Sequence, residues 1–211
     1  MKKWVMLIVA LALTAFLMGC EEAETFDTAD DAKAALNGQG VITIGGNFSE
    51  ANQGSDIRVD GTFAGFLRES GLINTKWTIS ANYKDWFYAK YVTNEPVNNQ
   101  EGVNSGSTIG FYDENDVCLG YAQEQVIGDD GYIVVFLNPD FSQTGLFASE
   151  DCRTLWDDTE TVVAKGDVDW SYSSDFCTIT ITPTGVRDVP FYAKFAMYAT
   201  LYSDANNLKK L

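Results

Sequence analysis

Lys76-Trp77-Thr78-Ile79-Ser80-Ala81-Asn82-Tyr83 alternates apolar and polar side chains residue by residue, the period of a strand with one face in a core and the other in water. Trp77, Ile79, Ala81 and Tyr83 share one face, and Lys76, Thr78, Ser80 and Asn82 the other. The same period recurs upstream in Ile57, Val59 and Phe63, and downstream in Ile179 and Ile181. Tyr132 to Leu137 is instead a continuous apolar run, suited to a strand covered on both faces. Turn chemistry separates these runs at Asp113-Glu114-Asn115-Asp116, at Asp129-Asp130-Gly131, at Gly166-Asp167 as a two-residue hairpin, and at Ser173-Ser174-Asp175. Consecutive hairpins of about ten strands predict an all-β fold, an antiparallel β-sandwich formed by a single domain over residues 28–211. A closed barrel enclosing a ligand has the same periodicity and is the alternative.

One helix is predicted, from Thr28 to Asn37. Thr28 can cap it, Asp30 and Asp31 favour its positive first turn, and Gly38 stops it. Its apolar stripe, Ala29, Ala32 and Leu36, is narrow, so the helix is expected on the domain surface. Phe191 to Tyr202 reads as a late strand. Phe191, Phe195, Met197 and Leu201 would share one face, with Tyr192, Lys194, Tyr198 and Tyr202 on the other. The stretch Phe111-Tyr112-Asp113 through Gly120 resembles the strand-turn-strand of immunoglobulin-like envelope domains that carry an FxLYD signature, and this resemblance also implies a sandwich.

The chain begins Met1-Lys2-Lys3, runs uncharged from Trp4 to Met18, and reaches Gly19-Cys20. A basic start, a short apolar core and a small residue before the cut specify export and removal of residues 1–19. Leu17-Met18-Gly19-Cys20 resembles the lipobox of bacterial lipoproteins. That resemblance implies cleavage after Gly19, a diacylglycerol (and palmitate) on Cys20, and a membrane lipid as partner. Residues 20–27 carry Glu21, Glu22, Glu24 and Asp27 and read as an acidic tether. The expected location is the cell envelope, lipid-anchored, and the outer membrane where the source has two.

The formal net charge of −16 becomes more negative once Lys2 and Lys3 leave with the leader. Such a surface repels phosphate backbones, so nucleic acid is not an expected partner. No histidine is present, which excludes Ser/His and Cys/His relays and His-ligated metals. Beyond Cys20 the cysteines are Cys118, Cys152 and Cys177. An oxidising compartment allows one internal bridge, and Cys152–Cys177 is the preferred pairing, across a compact meander.

Aromatics provide the candidate contacts. In Asp85-Trp86-Phe87-Tyr88-Ala89-Lys90-Tyr91 they occupy both strand faces, so Trp86 and Tyr88 are expected to line an outer platform able to stack on sugar rings. Tyr192 and Tyr198 would form a second such face. Acidic groups at Asp113/Glu114/Asp116, Asp157/Asp158/Glu160 and Asp167/Asp169 lack EF-hand spacing and read as solvated turns. No catalytic, metal or cofactor residues are assigned. The expected function is a non-catalytic binding or structural module that displays an aromatic sheet face to a glycan or an envelope protein. The alternatives are a subunit of a surface assembly, pairing through the edge strand Phe191 to Tyr202, and a carboxylate-based glycoside hydrolase.

Replacing the anchor thiol, Cys20→Ser, is expected to abolish acylation and move the protein from the membrane to the soluble fraction. Intact-mass spectrometry and fractionation of the native product check this, and an unchanged distribution would refute it.

Overall fold

The computed structural model describes residues 24–47, 55–70, 75–92, 105–127, 131–171 and 176–209; Gly19 and Cys20 fall outside them. Helix α1 (Ala29–Asn37) is followed by twelve strands and a C-terminal helix. The strands are β1 (Ile42–Asn47), β2 (Ser55–Val59), β3 (Thr62–Ser70), β4 (Lys76–Ala81), β5 (Lys84–Tyr91), β6 (Ser105–Asp113), β7 (Cys118–Ile127), β8 (Gly131–Leu137), β9 (Gln143–Ser149), β10 (Thr154–Asp157), β11 (Val162–Ser171) and β12 (Phe176–Pro183); the helix is α2 (Phe191–Lys209).

Every strand pairs antiparallel with its sequence neighbours, and β1 pairs with β12 as well as β2, closing a barrel. The expected sandwich is therefore wrong. Alternation was read correctly, but two packed sheets and one closed sheet both satisfy it. Bulges help to bend the sheet shut: register shifts fall at Ile57/Arg58, Ile79/Ser80, Phe111/Tyr112, Val135/Leu137 and Leu155/Trp156. Gly166-Asp167 is no hairpin, since both residues lie inside β11 opposite Ile181 and Thr180. Outward positions on β2 and β11 carry Asp56, Arg58, Lys165, Asp167 and Asp169, which a lipid-facing wall would not tolerate.

The segment Phe191 to Tyr202 is the second correction, being helical throughout. Pro190 precedes its first residue, and the Pro190 carbonyl accepts from the Ala193 amide at 3.0 Å. Phe191, Ala193, Lys194, Phe195, Ala196, Met197, Tyr198 and Leu201 are all buried, so from Phe191 to Tyr202 α2 has no wet face, as a helix inside a protein requires. Its neighbours come from opposite walls. Phe195 meets Trp77, Phe87 and Phe111, while a Cβ on Gly166 would sit 2.7 Å from Leu201 and 3.4 Å from Met197. α2 occupies the barrel lumen.

The hairpins divide between the two ends. Five tight turns gather at one end: Asp60-Gly61, Asn82-Tyr83, Asp113–Val117, Asn138–Ser142 and Asp157–Thr161. In the last three, the fourth residue takes positive φ (Asp116 62°, Phe141 64°, Glu160 62°), a type I turn continued by a left-handed residue. Asp113 and Asp157 brace these turns, each accepting from two backbone amides at 2.8 and 3.0 Å respectively. Two of the acidic groups thus serve turns.

α1 forms as predicted, capped by the Thr28 hydroxyl accepting from the Asp31 amide at 3.1 Å, with Ala29, Ala32 and Leu36 buried. It does more than rest on the surface. Ala32 and Leu36 belong to the main core, and α1 covers the tight-turn end. The nominal tether docks there too: Glu24 accepts from the Phe63 amide at 2.8 Å, and Asn82 Nδ2 donates to the Phe26 carbonyl at 2.9 Å.

Lys194 joins the two helices. Fully buried, its Nζ donates to the carbonyls of Leu36 (2.9 Å) and Gly38 (2.6 Å), the C-terminal end of α1. Burial pulls its pKa down to about 8, against the opposing field of Asp188. Between pH 8 and its ordinary value near 10.5, the unfolded chain holds a proton that the folded chain lacks. Stability contributed by this group therefore rises with pH across that window and is lost as pH falls through 8. Lys194→Met is expected to cost about 1–3 kcal/mol by orphaning two carbonyls and to remove that rise. Urea unfolding of both proteins from pH 7 to 10 checks it; parallel curves would refute it.

Candidate functional site

α2 does not fill the lumen evenly. It lies closest to β11 and β12, where Gly166 removes the side chain that would collide with Leu201. On the far side, between Ala196, Ala199 and Thr200 of α2 and the inner wall, an open cavity of about 880 Å³ remains. It lies at the end opposite α1 and the docked tether: Glu69 and Tyr91 close β3 and β5, Ser107 begins β6, and the Ser149–Arg153 turn stands beside it.

Register determines which wall residues face inward. Gly65, Leu67 and Glu69 alternate with outward Phe66 and Arg68, and Glu69 pairs with Trp77, which pairs with Ala89. Tyr91 pairs with Ile109 and Ile109 with Ala122, so Glu124, two residues on, also points inward. Glu69 and Glu124 thus occupy positions that elsewhere hold Leu67, Ile79 or Phe111. The cavity is walled by Trp77, Tyr91, Tyr198 and Tyr202, with these two carboxylates among them. Trp77 meets Tyr91 edge-on at 5.5 Å, and Tyr198 stacks on Tyr202 at 5.7 Å.

Electrostatics ties the groups together. Burial pushes the Tyr91 hydroxyl pKa up, and the charges of Glu124 and then Glu69 push it further. Tyr202 is raised by burial and then by Glu69, Tyr198 by burial above all. These phenols remain protonated hydrogen-bond donors at neutral pH. The Glu124 carboxylate accepts from the Ser107 amide at 3.0 Å. Among the described residues neither Glu69 nor Glu124 has a lysine or arginine partner, and no three His, Cys, Asp or Glu side chains group as metal ligands. On the turn beside the cavity, Asp151 takes a hydrogen bond from Ser149 and has Arg153 3.8 Å away, while Glu150 is exposed.

The residues singled out from the sequence do not come together. Trp86 was expected on an outer platform, but the Ile79/Ser80 bulge leaves it unpaired between Asp85 and Phe87, and it turns inward to stack on Phe191 at 5.6 Å. Tyr88 does lie outside, with both ring faces already occupied: Tyr112 stacks on it at 5.3 Å and Lys76 Nζ sits 3.7 Å from its centroid. Its hydroxyl donates to Asp116 at 2.8 Å. Burial, then that bond, then the neighbouring charges push its pKa up to about 12. Tyr192 packs on Phe111 inside the lumen, and of the four only Tyr198 lines the cavity.

No disulfide joins Cys152 to Cys177; both are buried thiols. Cys152 lies beside Gly166, whereas Cys177 pairs with Trp170, four residues further along β11. That separation is about 13 Å along the strand, beyond the Cα spacing of about 4.4–6.8 Å that a bridge requires. Burial, with the charge of Asp169, pushes the Cys177 thiol up to about 11, leaving it protonated and unreactive at neutral pH.

Comparison with protein-family models, curated proteins and solved structures finds no match. The residues must therefore define the site.

Trp86→Ala is expected to cost about 3 kcal/mol or more, because a large ring stacked against α2 is lost from the interior. Tyr88→Ala should cost only about 1 kcal/mol, the worth of an exposed stacking and cation–π pair. Denaturant midpoints of the two variants check the order; equal losses would return Trp86 to the surface.

Proposed function

We propose that the chain is a lipid-anchored envelope protein that binds a small ligand in the barrel lumen without transforming it. The observation that carries this reading is the 880 Å³ cavity left beside α2 in the lumen. A volume of this size lies within the range of small-molecule sites, and it is lined by aromatic rings with a few converging polar groups. The expected aromatic contact surface is kept, but it moves from the outer sheet face to the inside.

The placement of the ends supports the anchored part of the proposal. A chain entering from Cys20 reaches the barrel where Thr25 pairs with Phe63 and the Glu24 carbonyl accepts from the Phe63 amide, at the tight-turn end that α1 covers. The cavity lies at the other end. Acyl chains on Cys20 would hold the end that α1 covers toward the bilayer and the cavity away from it. Assembly through an edge strand loses its basis, because Phe191 to Tyr202 is a lumen helix and the described barrel strands are paired on both sides. Hydrolysis keeps one supporting observation, that Glu69 and Glu124 share a cavity, as a carboxylate pair must.

Ala199→Phe places a ring into the cavity from α2. Native mass spectrometry of the mature protein, incubated with a small-molecule extract of the cells that make it, is expected to show an adduct that this variant lacks, at an unchanged or higher unfolding temperature. The same adducts on both proteins would refute a lumen site, and turnover of aryl glycosides by the wild type but not by Glu69→Gln would replace binding with hydrolysis.

A further inference from the structure

We propose, resting on the lumen-receptor reading, that the ligand is a small organic cation: an ammonium group set against Glu69 and Glu124, with its apolar part on the rings of Trp77, Tyr91, Tyr198 and Tyr202. Three independent features converge on this class. The inward register of β3 and β7 selects apolar or small side chains at Leu67 and Ala122 and then places a carboxylate at the next inward position of each strand. Both carboxylates are exposed toward the ends of their strands, and the closed register turns the two toward one cavity, beside its rings.

The second feature is the charge balance of the lining. Among the described residues Arg153, on the turn beside the cavity, pairs with Asp151 and Asp167, and neither inward glutamate is neutralised by a base. Two carboxylates turned into one cavity set a negative potential there that favours a cation. A neutral saccharide would supply hydrogen bonds and leave the charge unmatched.

The third is the character of the walls. Tryptophan and tyrosine present negative π faces that attract ammonium groups, most strongly where water is excluded. The four phenol and indole groups form two contacts, Trp77 with Tyr91 and Tyr198 with Tyr202, on strands and helix respectively, so a guest between wall and helix meets rings on both sides. Glu150 in the lining and the −16 net charge give a field that draws cations inward and repels anions.

Isothermal titration of the lipidated protein in nonionic detergent decides the class, with phenethyltrimethylammonium, its uncharged analogue 2-phenylethanol, and N-acetylglucosamine as probes. The ammonium probe is expected to bind about tenfold or more tighter than 2-phenylethanol, and to weaken as sodium chloride is raised from 50 to 500 mM. Glu69→Gln/Glu124→Gln should remove that tenfold preference while leaving 2-phenylethanol binding and the unfolding temperature unchanged. Equal or tighter binding of 2-phenylethanol or N-acetylglucosamine, or no binding of the ammonium probe, overturns the cation class. The lumen-receptor reading stands or falls separately, on the adduct that Ala199→Phe removes.

Discussion

A twelve-stranded barrel encloses a lumen too wide for its own inward side chains to fill, and the contact between α2 and that wall is the condition on which the rest of the molecule depends. Phe191, Phe195, Met197 and Leu201 are buried to 1% exposure or less, and each contributes about 2 kcal/mol by leaving water. Without the helix the wall would surround a wet, apolar hole. With it, the interior is a single core cluster running from Ile42 on β1 to Leu201 on α2.

The helix is held off-centre, and the cavity follows from that. On one side Gly166 lets Leu201 and Met197 approach the backbone of β11; on the other, Trp86, Phe87 and Phe111 bridge a wider gap near the helix start. Further along, α2 presents Ala196, Ala199 and Thr200, which are too small to reach across. The ends then differ for a local reason. Where α2 begins, Lys194 and the Asn37 side chain bind it to α1 and the end is covered. Where Ala196, Ala199 and Thr200 face the wall, the cavity is left.

Much of this was legible in the sequence, and the failures have definite physical causes. The cap at Thr28 holds, and the two-sided burial of β8 holds from Val134 to Leu137: Val134 and Phe136 enter the main core, while Val135 and Leu137 join a second cluster with Tyr121, although Tyr132 is exposed. The alternation from Lys76 holds as far as Ile79; beyond the Ile79/Ser80 bulge Ser80 is buried, and Tyr83 is exposed in the turn. Closure was not legible, because a period of 2 reports one buried face and says nothing of what covers it. Phe191 to Tyr202 deceived for a related reason. An apolar segment buried all round has no contrast between faces, so either period can be drawn through it; Pro190 at its start and alanines at positions 193, 196 and 199 were the helical signal. Trp86 was misplaced because a bulge, invisible to simple alternation, shifts the phase of β5 by one residue.

The site was missed although its mark was present. Extending the inward phase of β3 from Leu67 lands on Glu69, and extending that of β7 from Ala122 lands on Glu124. Read one strand at a time, each glutamate looks like the polar end of a strand running out into solvent. Only the closed register, which sets Glu69 opposite Trp77 and carries the inner face round through Tyr91 and Ile109 to Ala122, shows that both point into one space. Carboxylates without a base beside aromatic rings do little for the stability of a barrel whose covered end is already well packed. Glu69 and Glu124 themselves stand at the other end from Lys194 and Asn37, which bind α2 to α1, so their charge can be altered without touching those contacts, whereas Trp77, opposite Glu69, also packs on Phe195 and ties the cavity wall to the helix.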